Sequence, residues 1–395
     1  MNRKPRVALI GGGLGGLTAA LAFSRVGIEA HVFEQASELR EIGAGIGVSA
    51  NAVKVLRALG VEKALRERGF ESEASVGRDL TSGRSLFQVP LNDASGPRFG
   101  APHVNIHRAD LLDVLAQALP GPQIHLDSRC VVVSSCDHGA AATFSNGRQE
   151  EADLVVGCDG IRSFIRTTLH GPDAPRFTGN MCWRAMIPVE RLPPGHVAPH
   201  VTVWTGLGGH VVTYYVRDGR LINVVAVQET SDWVEESWTI AGSREDLLAA
   251  YVDMHRDLRT LLDQVEHCFK WGLFDRDPLR TWSAQRVTLL GDAAHPMLPT
   301  LGQGAAMAIE DAYVLARALS CSPEDITAAL RAYEAARVPR TTQVQLASRR
   351  QAKIFHQNSR GSTDLNADWI YEFDPTREPI ALRSVSENPG IRMMH

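Results

Sequence analysis

Residues 6–34 read RVALIGGGLGGLTAALAFSRVGIEAHVFE, and this stretch decides the fold. Arg6 to Ile10 is a short apolar run of strand character. Leu14 to about Val26 is apolar over a helical length and ends at Gly27, as helices often end on glycine. Glu29 to Phe33 is a second strand. Between the first strand and the helix lies Gly11-x-Gly13-x-x-Gly16. Gly11 permits a tight turn, Gly13 lets a pyrophosphate approach the backbone, and Gly16 lets helix and strand pack closely. The start of the helix, with Leu14 and Gly15, then offers free N–H groups and a partial positive charge to phosphates. Glu34, with Gln35 beside it, ends the second strand about 20 residues on, where a carboxylate takes ribose hydroxyls. The unit predicts a bound dinucleotide and leaves open which one.

Working outward, the chain has 395 residues, 44% hydrophobic and 22% charged, the balance of a soluble globular protein. A net charge of -4 gives no basic surface for nucleic acid. Six cysteines (Cys130, Cys136, Cys158, Cys182, Cys268, Cys321) are scattered without CxxC pairs or Cys/His ligand spacing. They read as reduced thiols of a cytoplasmic protein with no metal site. Basic residues precede the first apolar run, as in a signal peptide, but the run is short and glycines interrupt it. No segment approaches the roughly 18 apolar residues that span a membrane.

The glycine-rich turn Gly43 to Gly47 leads into a helix around Asn51 to Leu59. Leu154-Val-Val-Gly-Cys-Asp159-Gly160 is a strand ending in Asp-Gly, and Arg286-Val-Thr-Leu-Leu-Gly291-Asp292-Ala-Ala-His295-Pro296 is a strand ending in Gly-Asp. Between them, from about Asn180 to Phe269, the pattern turns β-rich, with runs Val201 to Trp204, Val211 to Val216 and Leu221 to Val227 separated by glycine turns. A nucleotide-type unit is thus interrupted by a β-sheet insert and completed afterwards. Thr327 to Ile354 is a long, mostly polar helical stretch that Pro339 should kink or split.

Three motifs in this order, from Val7 to about Pro339, resemble the single-component FAD-dependent aromatic hydroxylases of the para-hydroxybenzoate hydroxylase type. The likeness is nearest to the salicylate hydroxylase, 3-hydroxybenzoate 6-hydroxylase and 6-hydroxynicotinate 3-monooxygenase branch. It implies an α/β fold: a Rossmann-like FAD-binding domain (1–179, with a small β excursion at 72–100, completed by 272–340), an inserted β-sheet substrate domain (180–271) and a C-terminal helix and tail (341–395). It implies FAD, NADH or NADPH as co-substrate, oxygen, and a small phenol or aromatic carboxylic acid hydroxylated through a flavin hydroperoxide. Homodimers are common in that family. Asp292 then holds the ribityl chain, Asp159 supports flavin and nicotinamide binding, and Arg108 contacts FAD. Alternatively, Asp159 only caps the helix near Ser163, and Arg108 is a surface charge. Thr300-Leu-Gly302-Gln-Gly304 opens another helix at Ala305. Its N-terminus can stabilise the anionic end of a reduced flavin.

Electrophilic hydroxylation runs faster on a phenolate, so a proton acceptor beside the substrate hydroxyl is useful. His210 and Tyr214 stand four apart in a strand run and share a face. They match substrate-contacting positions of the 3-hydroxybenzoate 6-hydroxylase type. Relatives in the salicylate and hydroxynicotinate groups carry His where this chain has Thr300, and the hydroxynicotinate type also has His at Gly47. His295 reads as structural or flavin-adjacent, and Arg184 or Arg217 is a candidate for a substrate carboxylate. Rival readings are an epoxidase or hydroxylase of a non-phenolic substrate and a flavoprotein reductase. A halogenase is disfavoured: Ala185 interrupts the Trp183-Arg-Ala-Met-Ile-Pro188 match, and no lysine lies between Lys63 and Lys270.

Overall fold

The computed structural model describes residues 4–39, 44–93, 96–121, 123–231, 240–357 and 367–382. Gly43 and most of the tail beyond Gly361 lie outside them. Among the described residues, two sheets dominate.

The first has five parallel strands in the order Ile124–His125, Glu29–Phe33, Arg6–Ile10, Leu154–Gly157 and Val287–Leu289. Val7 to Ile10 and Leu154 to Val156 are buried along their whole length, as expected of parallel strands covered on both faces. The glycine-loop helix (Leu14–Arg25) packs on the helix Gly304–Cys321. A side chain at Gly15 would reach within 2.6 Å of Leu290, so glycine is what lets this helix approach the last strand.

The second sheet has eight strands in the order Ile240–Gly242, Cys268–Asp275, Arg176–Pro188, Leu221–Glu229, Gly209–Val216, His200–Gly206, Ala74–Asp79 and Ser85–Pro90. The last two come from the stretch expected as a small excursion of the first unit. Instead, Ala74–Asp79 pairs in parallel with His200–Gly206 and extends the insert's sheet. One face buries Trp183, Ile187, Val211, Ile222, Val224 and Ala226 against Leu247, Leu258, Leu261 and Leu262 of two short helices. The alternate residues face the first sheet. A linking sheet (Gly45–Val48, Val104–His107, Phe70–Glu71) joins the two, and Gly45 N–H donates to Asn223 Oδ1 at 2.8 Å.

The helix Ile326–Gln357 runs unbroken through Pro339, so the expected split does not occur. Ion pairs hold the chain on both sides of the proline. Arg337 binds Asp311 at 2.7 Å and Glu310 at 2.6 Å, and Arg340 binds Glu310 at 2.7 Å, all buried. Among the described residues no helix is long and apolar enough to cross a membrane.

Candidate active site

A cavity of about 1190 Å³ lies between the two sheets. This exceeds the ~300–1,000 Å³ of a single small-ligand pocket and leaves room for a cofactor with a substrate beside it.

Gly11, Gly13, Leu14, Gly15, Glu34 and Gln35 line one end. Gly11 has φ +113°, and a Cβ there would lie 2.4 Å from the Cys158 carbonyl oxygen, so the turn requires glycine. At Gly13 a Cβ would meet nothing within 4 Å, which leaves the backbone open to the cavity. The helix that follows has neither a side-chain cap nor an acidic residue in its first turn, so its N–H groups remain for an anion. Gly16 differs from the other glycines: it is off the cavity wall, and a Cβ would stand 2.0 Å from Gly11 O. Its role is the close helix–strand contact. Glu34 accepts from Gly12 N–H at 2.6 Å and Ala36 N–H at 2.9 Å, which fixes its carboxylate at the strand end.

Arg108, Asp159 and Asp292 line the middle. Asp159 accepts from Ser163 Oγ at 2.5 Å and Ile165 N–H at 3.1 Å. It therefore caps the helix Phe164–His170 while also facing the cavity, and burial raises its carboxyl above the usual range. Asp292 is exposed to the cavity, and its Oδ1 lies 3.8 Å from where a Gly304 side chain would begin. Gly302, at φ +63°, Gly304 and Ala305 line the wall at a helix start that lacks a side-chain cap. These open, uncapped backbone cradles at Gly13 and Gly304 fit an extended dinucleotide carrying a planar ring.

Beneath this loop lies a buried polar network. Gln303 joins Ser49 and Asn51, and Asn51 donates to Glu310 at 2.6 Å. Burial pushes Glu310 upward, but Arg337 and Arg340 outweigh it and hold the carboxyl below its usual value. His295 contacts Asp311 at 2.5 Å and is off the cavity wall, so it belongs to this network.

The far end is formed by the eight-stranded sheet. Register gives three adjacent rows on the cavity face. One runs Cys182, Val227, His210, Thr205; the middle runs Arg184, Val225, Val212, Val203; the third runs Asn223, Tyr214, Val201, Ser75. His210 is 2% exposed, with its ring 4.8 Å from Phe355. Tyr214 is 7% exposed, and burial pushes its phenol to about 12. Arg184 lines the wall, whereas Arg217 is off it and binds Asp110 at 3.0 and 3.1 Å. Thr300 lines the wall and donates to Ser348 O at 2.6 Å.

The sequence reading missed His103 and Tyr371. A Cβ at Gly47 would lie 3.1 Å from His103 Nε2, so this imidazole fills the space over the glycine. Burial lowers His103 to about 4. Tyr371, from the short helix Asp368–Glu372, meets it edge-on at 6.5 Å. The polar alternation His103, Asn105, His107 around Arg108 was the available signal. Tyr371 came from a tail with no pattern. Among the described residues no cluster of three or more His, Cys, Asp or Glu could hold a metal.

Residues 4–348 match the family described as FAD binding domain. The chain is 38% identical to 3-amino-4-hydroxybenzoate 2-monooxygenase of Streptomyces platensis, with 94% of this chain and 97% of that protein covered. It is 35% identical to 6-hydroxynicotinate 3-monooxygenase of Bordetella bronchiseptica, over 96% and 98%. A solved salicylate hydroxylase substrate complex superimposes with a TM-score of 0.81 at 27% identity, over 94% and 96% of the two chains. The chain therefore belongs to the FAD-binding-domain family and is an FAD-dependent aromatic monooxygenase.

Proposed function

We propose that the enzyme hydroxylates a small hydroxyarene, using NAD(P)H and oxygen, with the ring lying over the floor made by Val212 and Val225. The observation that carries this reading is the shared face of His210 and Tyr214. It flanks an apolar floor and opens toward the cofactor cradle. The relatives named above act on hydroxylated aromatic acids, which supports the same substrate class here.

Bound FAD, once reduced, supplies the activated oxygen. The protein's own residues do the rest. The helix start at Gly13, Leu14 and Gly15 takes the pyrophosphate, and Glu34 with Gln35 takes the adenosine ribose. Arg108, Asp159 and Asp292 hold the chain between the pyrophosphate and the ring. The helix start at Gly302, Gly304 and Ala305 receives negative charge on the reduced ring system. An imidazole nitrogen of His210 accepts the substrate's hydroxyl proton and so raises ring electron density. Tyr214, with its phenol near 12, stays protonated at neutral pH and donates a hydrogen bond. Val203, Val212, Val225 and Val227 keep water from the reacting face. We also assign the enzyme to the cytoplasm, a reading supported by six cysteines without a disulfide.

The test is NAD(P)H consumption by the FAD-loaded protein with salicylate, 3-hydroxybenzoate, 4-hydroxybenzoate and 6-hydroxynicotinate, with products identified. Stimulation with a ring-hydroxylated product is expected. A yellow protein stimulated by none of them would rule the reading out.

A further inference from the structure

The apolar floor beside His210 and Tyr214 runs on well past the length of one ring. Its middle row continues from Val225, Val212 and Val203 to Gly77, and the next row from Tyr214 and Val201 to Ser75 and Val89. Phe87 on the edge strand pairs with Gly77, and a Cβ at Gly77 would lie 2.0 Å from the Phe87 ring. The glycine therefore lets this ring lie down across the neighbouring strand, where it lines the cavity. Strands stand about 4.8 Å apart, so a ring over Val212 and Val225 covers one spacing, and about 14 Å of floor follows from Val212 to Phe87. Phe87, Val89 and Val201 are only half-buried, and covering such apolar surface is favourable.

Beyond Ser75 and Val89 the wall turns polar without net charge. Ser72 N–H donates to His103 O at 3.3 Å, and Asn105 Nδ2 donates to Ser72 Oγ at 2.6 Å, which sets both residues at this edge of the sheet. His103 Nε2 and Asn105 Oδ1 come over Gly47, 3.1 and 3.4 Å from where its Cβ would be. Burial lowers His103 to about 4 and raises Tyr371 to about 12, so both are neutral at pH 7. Arg98 on the same wall is paired with Asp368 at 2.6 Å. A neutral imidazole and a phenol donate and accept hydrogen bonds, and they offer a carboxylate no counter-charge.

Resting on the hydroxylation proposed above, we propose that the cavity holds a second, apolar berth over Phe87, Val89, Val201 and Val203, continuous with the first. The substrate is then a hydroxyarene extended by a second ring, whose far end carries an uncharged hydrogen-bonding group toward His103, Asn105 and Tyr371. The ring that reacts keeps its hydroxyl toward His210. A one-ring hydroxyarene fills the first berth and leaves the second uncovered.

The experiment titrates the FAD-loaded wild type, Val89→Trp and Phe87→Ala with matched one-ring and two-ring phenols. The pairs are phenol with 3- and 4-hydroxybiphenyl, and salicylamide with its N-phenyl derivative. Binding is read from the flavin absorbance change, and the KM for NAD(P)H is measured in parallel. In the wild type at least one two-ring phenol should bind about 30-fold tighter than its one-ring partner, the scale of about 80 Å² of apolar surface leaving water. Val89→Trp fills the second berth and should bring that ratio close to one, with the one-ring phenol bound as before. Phe87→Ala should weaken the two-ring phenol about tenfold, the scale of a lost aromatic pair. A carboxamide on the far ring of the better hydroxybiphenyl should bind about tenfold tighter than a carboxylate there, since the carboxylate would be buried without a counter-charge. A wild-type ratio near one overturns the berth while leaving hydroxylation intact, as does a Val89→Trp ratio equal to wild type. A weakening confined to NAD(P)H also overturns it, in favour of a nicotinamide-cofactor contact. A far carboxylate bound as tightly as the carboxamide overturns the uncharged end. Should Val89→Trp not retain FAD, Phe87→Ala decides, and unchanged two-ring binding there overturns the assignment. If yellow wild type oxidises NAD(P)H no faster with any one-ring or two-ring compound, the four acids above included, both this inference and the function beneath it fail.

Discussion

At the parallel sheet the cavity wall is largely backbone: Gly11, Gly13, Gly15, Gly302 and Gly304 line it around two helix starts that lack side-chain caps, with three carboxylates set around them. At the antiparallel sheet it is side chains: His210, Tyr214 and Arg184 project from a floor of valines. In the proposed function the backbone cradle takes what every turnover shares, the cofactor. Side chains on a rigid pleated surface can be exchanged one at a time, so the far end can change its substrate without disturbing the near one. The contrast makes a strict demand: damage at one end should leave the other end's readout intact.

The largest expected effect tests whether the cradle depends on the charges beneath it. Arg337 is fully buried and holds both Glu310 and Asp311. Arg337→Met leaves two buried carboxylates short of a counter-charge and should cost about 4 kcal/mol. Denaturant unfolding would measure the loss, and FAD content should fall with it through Gln303 and the Gly302–Gly304 loop. Full FAD retention at reduced stability would show that the loop is independent of the network.

A crossed pair comes next. Asp292→Ala should weaken FAD binding by about 30-fold, the loss of a charged hydrogen-bond acceptor. His210→Ala should leave the protein yellow and lower substrate-stimulated turnover about 100-fold. Fluorescence titration of FAD and stopped-assay turnover separate the two. A colourless His210→Ala, or an Asp292→Ala that binds FAD normally, would break the division between the ends.

The same division explains what was legible in the sequence. Gly11 to Glu34, Asp159 and Asp292, the residues proposed to hold the cofactor, stand in short-range spacing around strand ends, and spacing is written in the chain. His210 and Tyr214 were legible as a pair because a strand repeats every two residues. Choosing Arg184 over Arg217 needed the register with Phe269 and Val225, which distant packing decides. The same holds for Ala74–Asp79, which pairs with His200–Gly206 across more than a hundred residues. Pro339 misled for a different reason. The local rule against proline in a helix was outweighed by Arg337 and Arg340 anchored on Glu310, partners that no local pattern announces.

The smallest effect concerns the histidine that the sequence reading missed. His103 titrates near 4 because burial disfavours its charged form, against 6.5 in an open chain. Between those values the unfolded chain binds a proton that the folded protein refuses, so stability falls as pH drops from 6.5 toward 4 and this contribution is flat outside that window. Burial also lowers His107, His125 and His170, so they tilt the curve the same way. Glu310 and Asp311 are held low by their partners, and their contribution is lost only at more acidic pH. The informative quantity is therefore the difference between wild type and His103→Gln across pH 6.5 to 4.5. Wild type should lose up to about 2 kcal/mol more than the variant over that range, allowing for the partial exposure of the ring. Urea unfolding of the FAD-loaded proteins at the two pH values measures it. Parallel curves would mean that the space over Gly47 is wet enough to charge the imidazole in the folded protein, and that His103 does not form a dry part of the cavity wall.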